Sequence, residues 1–511
     1  MTQRFYITTP IYYVNGAPHI GHAYSSVAAD VLARFKRLDG FEVFFLTGTD
    51  EHGQKVEKTA RDSGIEPAEF TARIAGEFRE MARVMGISND DFIRTTEARH
   101  VRSCTALWQA LERAGTIRLG HYEGWYAVRD EAFYDESELT TGADGARRAP
   151  SGAPVEWVRE PSYFFKLSDF QDRLLTLYEA RPDFIQPISS RNEVISFVRS
   201  GLRDLSISRT SFSWGIPVPG APEHVMYVWI DALQNYLSAL GYPDMDAPRM
   251  AFWPVDLHLV GKEITRFHAV YWPAMLMAAG LPVPRRIFAN GWWTVEGEKM
   301  SKSLNNALAV QPLIEAFGLD PLRYFLLREM PFGNDGDFSR RALITRLNVE
   351  LANDLGNLAQ RTLSFIAKNA GGAMPARGEL HETDHTLLAV AAALPGRVRQ
   401  AMDRLAFHEA LDEVWKLVRA ANAYIDHQAP WALRKNDPER MLAVLRILCE
   451  ALRTIGVLLQ PFMPGSMAKL LDLLAVSAED RSIAALERPP GDGAALPAPS
   501  AIFPRFVDTE A

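Results

Sequence analysis

The sequence has few of the features that mark secreted, membrane-bound or disulfide-stabilised proteins. Its 511 residues include only two cysteines, Cys104 and Cys449, which are too few for a disulfide framework or a four-thiolate zinc site. It has no run of about 18 apolar residues, and its first residues lack the apolar core of a signal peptide. These absences predict a protein of the reducing cytoplasm with no membrane role.

An excess of positive charge is also missing. The formal net charge is -8 at pH 7, so any RNA contact must come from local basic clusters and not from the long-range field. A hydrophobic content of 47% with 23% charged residues is typical of a globular protein. The length predicts roughly two to four domains with sizeable cores.

What is present begins with an alternation of predicted strands and helices. A β-branched and aromatic run at residues 5–14 is followed by PHIGH at residues 18–22 and by apolar residues at helical spacing as far as Asp39. Pro18 suits the first turn of that helix, and Gly40 suits its C-terminal end. A helix N-terminus has unpaired amides and a partial positive charge, so it predicts a phosphate site. On its own, the stretch is also compatible with a surface turn.

Polar residues or glycines follow four further predicted strands. The strands at residues 41–47, 225–230, 257–260 and 286–289 lead to Asp50, Asp231, Gly261 and Asn290. Because the carboxyl ends of parallel strands line the ligand crevice of a doubly wound sheet, we expect these residues to face one crevice. Asp50 either binds a substrate ammonium or caps the next helix.

A loop with two lysines follows the last of these strands. It contains KMSKS at residues 299–303, which alone is more simply explained as a solvated charged segment. At this place, however, lysines can reach a triphosphate whose other end rests on the histidine-containing helix. In-line displacement at phosphorus requires distributed positive charge more than covalent chemistry, which favours a nucleotide site.

The rest of the sequence divides into an insertion and a helical region. Residues 117–227 have aromatic-rich strands and glycine turns, whereas residues 345–476 carry apolar stripes typical of a helical bundle. The predicted fold is an α/β protein with a doubly wound parallel, Rossmann-like sheet, followed by an all-α bundle. The predicted domains are residues 1–116 and 228–290 for the two halves of the sheet, 117–227 for the insertion, 291–344 for the lysine-loop region, 345–487 for the bundle and 488–511 for the tail, of which 502–507 pack back on the body.

The combination of PHIGH and KMSKS around one nucleotide fold closely resembles the signature pair of class I aminoacyl-tRNA synthetases. Within that class, the chain is similar to the methionyl-tRNA synthetase family along nearly its whole length. The similarity is carried by PIYYVNG (10–16), TDEHG (49–53), VWIDA (228–232), FHAVYWP (267–273), NLAQR (357–361) and APW (429–431).

The resemblance implies a connective-peptide domain at the insertion, a stem-contact region at residues 291–344 and an anticodon-binding domain in the bundle. It also implies a two-step reaction of L-methionine, ATP and tRNA(Met). The methionine carboxylate attacks the α-phosphorus of ATP and releases pyrophosphate; a ribose hydroxyl of the terminal tRNA adenosine then attacks the adenylate and releases AMP. Neither step needs a protein nucleophile, so positioning and charge stabilisation supply the rate. Magnesium on the pyrophosphate end is expected.

The resemblance also assigns site residues. Charge on the phosphates would be stabilised by His19, His22, Lys299 and Lys302. ATP would further contact Gly21, Gly261, Lys262, Glu263 and Gly291. The methionine would lie among Ile11, Tyr13, Asp50, Trp229, Ala232, Leu233, Tyr236, Ile264 and His268, with Asp50 on its ammonium, and a polarizable thioether suits such an aromatic-lined pocket. Anticodon bases would be bound by Asn357, Arg361 and Trp431, through stacking and hydrogen bonds to base edges.

Two departures from the family pattern lead to predictions. Many relatives have a Cys-x-x-Cys zinc knuckle in the inserted domain, and the corresponding turn here is AVRD at residues 127–130. We therefore predict a zinc-free enzyme with no metal ligands, whose knuckle is held by packing of Tyr122, Trp125, Tyr126, Phe133 and Tyr134. The family usually has histidine where this chain has Asn290, and glycine where it has Asn306. The resemblance therefore does not settle whether Asn290 contacts the nucleotide.

A monomer is expected, because the chain ends soon after the bundle and lacks the extra C-terminal domain of dimeric relatives. Three alternatives remain at this level. A class I synthetase for an aliphatic amino acid would need a larger editing domain, because one methylene is worth only about 1–3 kcal/mol. A small nucleotidyltransferase would leave the bundle unexplained. A non-catalytic tRNA-binding protein should have lost Asp50, His19 or Lys302, and all three are present.

Overall fold

The computed structural model describes residues 2–130, 132–142, 145–295, 298–299 and 308–507. The chain divides into two compact units. The first, which we call the sheet unit, contains Arg4–Pro18 and Phe44–Asn290; the second, which we call the helical unit, contains Met1–Gln3, His19–Val43 and Gly291–Ala511. Over the described ranges, no helix is long and apolar enough to cross a membrane.

The sheet unit is built on a seven-stranded sheet. In spatial order its strands are Ile185–Gln186, Ile287–Asn290, Leu257–Gly261, Arg4–Thr8, Glu42–Asp50 and Tyr12–Tyr13, with Asp91–Arg94 also paired to Glu42–Asp50. Strands pair in parallel, and the register aligns Gly261 with Asn290. The order extends outward in both directions from Arg4–Thr8, so the topological switch point, where such folds bind ligands, lies beside this strand.

The helices of the sheet unit present apolar stripes to this sheet. In Ala98–Arg113 the buried Cys104, Leu107, Trp108 and Leu111 follow the spacing of one helical face. The helices are Gln54–Asp62, Pro67–Val84, Ala98–Arg113, Gln171–Ala180, Ile188–Arg199, Val228–Leu233, Asn235–Ser238 and Trp272–Ala278, with a π-helical turn at Phe267–Tyr271.

The insertion contains antiparallel sheets. Its longest pair joins Ile117–Ala127 to Glu156–Phe165, with Leu205–Ser206 and Ala132–Tyr134 at the edges. A second sheet is formed by Ser208–Arg209, Ala221–Met226 and Pro217–Val218, and a short pair by Thr140–Thr141 and Arg147–Arg148.

Three predictions for this region were wrong or incomplete. The apolar run at residues 225–231 is not a parallel strand, because Ala221–Met226 pairs antiparallel and Val228–Leu233 is helical. A short continuous apolar run has no periodicity that distinguishes a buried strand from a buried helix. The helices Gln171–Ala180 and Ile188–Arg199 were not predicted, and Ile185–Gln186 returns to the parallel sheet from within the insertion.

The helical unit begins with the helix Ile20–Leu38 and a three-stranded sheet of Glu298–Lys299, Trp293–Val295 and Gly336–Phe338. The predicted bundle is present. Its helices, with those that lead into it, are Val310–Phe317, Leu319–Arg328, Arg340–Arg346, Asn357–Asn369, Glu382–Asp403, Phe407–Gln428, Pro430–Asn436, Pro438–Leu459 and Pro464–Leu473, with a π-helical stretch at Leu347–Gly356. Prolines begin three of these helices, where the missing amide costs no hydrogen bond.

The tail packs back on the helical unit, as predicted. Ile502 and Phe503 are buried. The Phe506 amide donates to Asn348 Oδ1 at 2.8 Å, and the Phe506 ring packs on Phe317 with centroids 5.1 Å apart. The segment after the bundle is therefore part of the fold in this unit.

Ion pairs fix the helix Ile20–Leu38 to the rest of the helical unit. Asp30 Oδ2 accepts a 2.6 Å hydrogen bond from the buried guanidinium of Arg323, which also donates to the carbonyls of Pro461 and Phe462. At the C-terminal end of the helix, the C-cap residue Asp39 pairs with Arg399 at 2.7 Å. The helix that begins with the histidine motif is thus held against the bundle.

Candidate active site

The histidine motif caps its helix by itself. The helix begins at Ile20 with His19 as N-cap, so Pro18 precedes the cap and does not occupy the first turn as predicted. The Gly21 amide donates to His19 Nδ1 at 3.1 Å, and the His19 amide donates to His22 Nδ1 at 3.2 Å. Because both Nδ1 atoms accept, each neutral ring carries its proton on Nε2. The two imidazoles therefore have a defined tautomer in which Nε2–H is a donor.

Other predicted ATP contacts belong to the same unit. The Tyr24 ring packs edge-on against Trp293, with centroids 5.6 Å apart, which joins the helix Ile20–Leu38 to the strand Trp293–Val295. Gly291 lies so close to the backbone that a Cβ would stand 2.2 Å from the carbonyl oxygen of Asn334, so only glycine fits there. The backbone of Lys299 lies in the strand Glu298–Lys299. The Lys299 side chain, and all of Lys302 and Asn306, lie outside the described residues.

The residues predicted to bind methionine come together in the sheet unit. Leu233 and Tyr236 are buried in one hydrophobic cluster, and Ile11, Trp229 and Ile264 pack against its edge. Ala232 is also buried. The Trp229 ring stacks on Phe267, with centroids 3.6 Å apart and planes inclined by 13°. Sequence reasoning missed Phe267 as a member of this group, although it lies beside His268.

A chain of hydrogen bonds fixes the protonation of His268. Its Nδ1 lies 3.0 Å from the Ile264 carbonyl, which can only accept, so Nδ1 carries the proton. Its Nε2 lies 2.7 Å from the Tyr236 hydroxyl and accepts from it. Burial lowers the pKa of His268 to about 4, against the opposing effect of the Ile264 hydrogen bond, and burial raises the pKa of Tyr236. This group of side chains therefore contains a neutral imidazole bonded to a protonated phenol.

Behind Tyr236 lies a second histidine that the sequence did not identify. His258 is the only polar side chain of the strand Leu257–Gly261, and its ring centroid is 4.2 Å from that of Tyr236. Its Nδ1 is 2.7 Å from the Thr8 hydroxyl. Burial lowers its pKa well below the usual value, so this imidazole is also neutral.

Asp50 ends its strand at the predicted place. Asp50 is only 7% exposed, and strand pairing places it beside Tyr13. The helix Gln54–Asp62 has Gly53 as N-cap, so the alternative assignment of Asp50 as the N-cap was wrong. Asp50 instead ends the strand Glu42–Asp50 with its backbone carbonyl accepting from the Val14 amide at 3.2 Å.

The remaining strand end carries Gly261, Lys262 and Glu263. A Cβ on Gly261 would stand 2.4 Å from Glu263 Oε1, so glycine allows this carboxylate to fold back over the strand end. The neighbouring strand ends at Asn290, which is buried in register with Gly261. Asp231, by contrast, is not at a strand end. It lies fully buried in the helix Val228–Leu233.

The knuckle turn at residues 127–130 is held by small apolar and polar contacts. Ala127, Ala149 and Ala153 form a fully buried cluster against which Tyr134 packs. Asp130 accepts hydrogen bonds from the Tyr134 and Ser151 hydroxyls. The buried Tyr126 fits the predicted aromatic packing, whereas the Phe133 side chain lies outside the described residues. The alanine cluster was missed, because alanine gives no sequence signal.

Two of the predicted anticodon residues lie together in the bundle. The Arg361 guanidinium stands 5.5 Å from the centroid of Trp431, and Arg361 also donates to Asp426 at 2.6 Å. Trp431 is 46% exposed. Asn357 is exposed one helical turn before Arg361, so the two side chains share a helix face.

Comparison with known proteins gives the same assignment. Residues 5–363 match the profile of the family described as "tRNA synthetases class I (M)", and residues 374–511 match "Anticodon binding domain of methionyl tRNA ligase". The chain belongs to the methionyl-tRNA synthetase family.

Relatives cover the whole chain. It is 55% identical over 509 residues to the methionine–tRNA ligase of Brucella suis, covering 99% of both chains, and 56% identical over 511 residues to that of Rickettsia felis, covering 99% of both. A solved structure of the Mycobacterium tuberculosis methionyl-tRNA synthetase in complex with methionyl-adenylate matches with a TM-score of 0.97 at 51% identity, covering 99% of this chain and 100% of that one.

These findings confirm the predicted fold class and activity. This synthetase is a methionine–tRNA ligase: it uses ATP to activate L-methionine as methionyl-adenylate and transfers the methionyl group to the 3' end of tRNA(Met), releasing AMP and pyrophosphate. The aliphatic synthetase, the nucleotidyltransferase and the non-catalytic binding protein were wrong alternatives.

Proposed function

We propose that the methionine side chain binds in the pocket of Trp229, Ala232, Leu233, Tyr236, Ile264 and His268. The single observation that carries this assignment is the hydrogen-bonded chain from the Ile264 carbonyl through His268 to the Tyr236 hydroxyl. It leaves the neutral Tyr236 phenol, whose proton is donated to His268 Nε2, in an otherwise apolar and aromatic pocket. A thioether is a polarizable, largely apolar group that requires no hydrogen-bond donor, so it suits this surface better than a charged side chain does.

Asp50 binds the methionine ammonium, with the backbone near Ile11 and the ring of Tyr13 beside it. Burial of Asp50 at a parallel strand end and the exclusion of an N-cap role support this assignment. A carboxylate in a water-poor site holds an ammonium strongly, because little solvent screens the pair.

ATP enters as its magnesium complex. His19 and His22 donate from Nε2 to phosphate oxygens, and Gly21 lets the ligand approach the backbone closely. The other nucleotide contacts are Gly261, Lys262, Glu263, Gly291, Lys299 and Lys302. These donors stabilise charge that develops at the α-phosphorus while the methionine carboxylate attacks.

The tRNA anticodon is bound by Asn357, Arg361 and Trp431. The position of the Arg361 guanidinium over the exposed Trp431 ring supports this assignment, since an unstacked base can rest on an indole while a guanidinium bonds to its edge.

The enzyme works without zinc, as a monomer in the cytoplasm. The alanine cluster and the Asp130 hydrogen bonds support the zinc-free knuckle. Elemental analysis of active protein tests this, and stoichiometric zinc would contradict it. Light scattering of the purified enzyme tests the monomer.

Exchange of labelled pyrophosphate into ATP tests whether the enzyme alone forms the adenylate. With the wild-type enzyme, methionine should drive the exchange in the absence of tRNA, because all residues proposed for adenylate formation belong to the enzyme. Exchange that began only when tRNA was added would contradict this assignment.

A further inference from the structure

A buried cluster of side chains lies behind the proposed methionine-binding residues and has no role in the proposed substrate contacts. At its centre is Asp231, which is fully buried in the helix Val228–Leu233. Its Oδ2 lies 2.6 Å from His52 Nδ1, and its Oδ1 lies 2.6 Å from His100 Nε2. The three residues are distant in sequence, so the fold brings them together.

The cluster extends beyond these three side chains and stays within the core. The Ser238 hydroxyl lies 3.0 Å from His100 Nδ1, and Cys104 Sγ lies 3.2 Å from His100 Nε2. Burial raises the pKa of Asp231, but the charges and hydrogen bonds of His52 and His100 outweigh it and lower the pKa to about 2. The carboxylate is therefore ionised, and both of its oxygens are bonded to imidazoles.

These contacts form a hydrogen-bonded cluster and not a metal site. Among the described residues, His100, Cys104 and Asp231 are the one group of three whose ligand atoms lie within 4.8 Å of one another. However, two ligands on a tetrahedral zinc at its usual bond lengths stand about 3.3 Å apart, whereas His100 Nε2 and Asp231 Oδ1 are 2.6 Å apart. Burial, followed by the charge of Asp231, also raises the pKa of the Cys104 thiol.

The position of His52 connects this cluster to the substrate. His52 lies two residues after Asp50, and the residue between them, Glu51, is fixed independently. The buried Glu51 carboxylate accepts hydrogen bonds from Arg94 Nε at 2.7 Å and from Arg94 Nη2 at 2.9 Å. It also accepts one from the Thr96 hydroxyl at 2.6 Å. The segment that follows Asp50 is thus fixed at two successive side chains.

The other end of the cluster lies in the wall of the pocket. Asp231 stands between Trp229 and Ala232 in one short helix. The same carboxylate thus joins the helix that forms the side-chain wall to the segment that carries the ammonium-binding residue.

We propose that Asp231 is a positioning residue for methionine. It holds His52, and through His52 it sets the direction in which Asp50 presents its carboxylate to the methionine ammonium. This inference rests on the proposed role of Asp50. His100 orients Asp231 from the opposite side.

The test is Asp231→Asn in the full-length enzyme, measured by methionine-dependent pyrophosphate exchange. The KM for methionine should rise between about tenfold and a hundredfold, as small displacements of a binding group commonly cause, whereas the KM for ATP should stay unchanged. Methioninol, which keeps the ammonium, should inhibit less well by a similar factor. The analogue 4-(methylthio)butanoate, which lacks the ammonium, should inhibit the variant and the wild type equally.

A pair of His52 variants tests the same step if Asp231→Asn does not fold. The amide nitrogen of an asparagine lies close to the position of a histidine Nδ1, so His52→Asn should keep the hydrogen bond to Asp231. Its KM for methionine should stay within about threefold of the wild-type value, whereas the KM of His52→Ala should rise as much as that of Asp231→Asn. A folded Asp231→Asn or His52→Ala enzyme with unchanged methionine KM would overturn the proposal, as would equal weakening of both analogues.

Two controls distinguish a loss of positioning by Asp231 from a general loss of stability and from an error in the role of Asp50. Asp384 is a matched buried carboxylate in the helical unit, bonded to Arg440 at 2.5 and 2.7 Å, so Asp384→Asn should lower the unfolding temperature and leave the methionine KM unchanged. Asp50→Asn tests the assignment on which the inference rests. If it raises the KM and Asp231→Asn does not, only the positioning role is wrong. If Asp50→Asn has no effect, both assignments are wrong.

Discussion

The sheet unit and the helical unit each bury an ionised carboxylate, and the two carboxylates have different partners. In the sheet unit Asp231 is bonded to His52 and His100, and in the helical unit Asp384 is bonded to Arg440 and Tyr424. Burial raises the pKa of both, and the bonded partners lower it to about 2 in each case. A strongly lowered pKa therefore does not distinguish a functional site from an architectural contact.

What distinguishes the two carboxylates is what lies beside them. The partners of Asp384 join bundle helices, and a guanidinium keeps its charge at any accessible pH. The partners of Asp231 are imidazoles, whose donors depend on protonation and point in fixed directions. One of them adjoins Asp50. Buried histidines also surround Tyr236, so the sheet unit places imidazoles close to the residues proposed to bind methionine.

The largest effect is expected from Lys302→Ala, which tests whether the helical unit takes part in chemistry as well as in tRNA binding. Adenylate formation should lose about 2–4 kcal/mol of transition-state stabilisation, because one preorganised donor to the phosphates is removed. The kcat of pyrophosphate exchange measures it, with the exposed Lys368→Ala as a control of equal charge change. An unchanged kcat would show that Lys302 does not contribute to adenylate formation.

The pH dependence of stability sharpens the contrast between imidazole and guanidinium. His268 has a pKa of about 4 in the folded enzyme against 6.5 when unfolded, so the unfolded chain binds more protons between these values and the free energy of unfolding rises with pH. The stabilisation, about 3 kcal/mol, is complete above about pH 6.5 and is lost as the pH falls toward 4.

Urea unfolding of the wild type and His268→Gln across this window measures the effect. The slope should be smaller in the variant, although His258 contributes a slope of the same sign in both. Asp384 contributes nothing here, since its stabilisation is present above its usual pKa of 3.8 and lost only as the pH falls toward 2. Equal slopes in the two proteins would show that His268 is not held neutral by burial.

The smallest effect is expected from Trp431→Ala. Loss of one stacked base should weaken tRNA charging by about 1–3 kcal/mol, while exchange without tRNA stays at the wild-type rate. Comparison of kcat/KM for tRNA with the exchange rate measures this. Equal loss of both activities would indicate a folding defect and not a lost anticodon contact.

Much of the fold could be predicted from the sequence, because its signals are local. The strand Leu257–Gly261 is a short, mostly apolar run, interrupted by His258, that ends in glycine. The bundle helices have regular apolar stripes, and three of them begin with proline. The run at residues 225–231 was misassigned, since an apolar segment of that length suits either a strand or a helix.

The site was predictable only in part, for a similar reason. His19, Asp50 and Trp431 lie in motifs, so the resemblance alone was enough to propose roles for them. Asp231 also lies in such a motif, but its partners His52 and His100 are 179 and 131 residues away in sequence. The directions of its hydrogen bonds are set by tertiary packing, and no periodicity in the chain encodes them.

The most direct test of the account is the amino-acid dependence of pyrophosphate exchange by the wild-type enzyme without tRNA. Methionine, leucine and isoleucine are compared at equal concentration with saturating ATP. Selection in the pocket around Tyr236 and His268 predicts that methionine drives the exchange and that leucine and isoleucine do so only weakly. Exchange driven equally by leucine or isoleucine would contradict the assignment of that pocket to methionine.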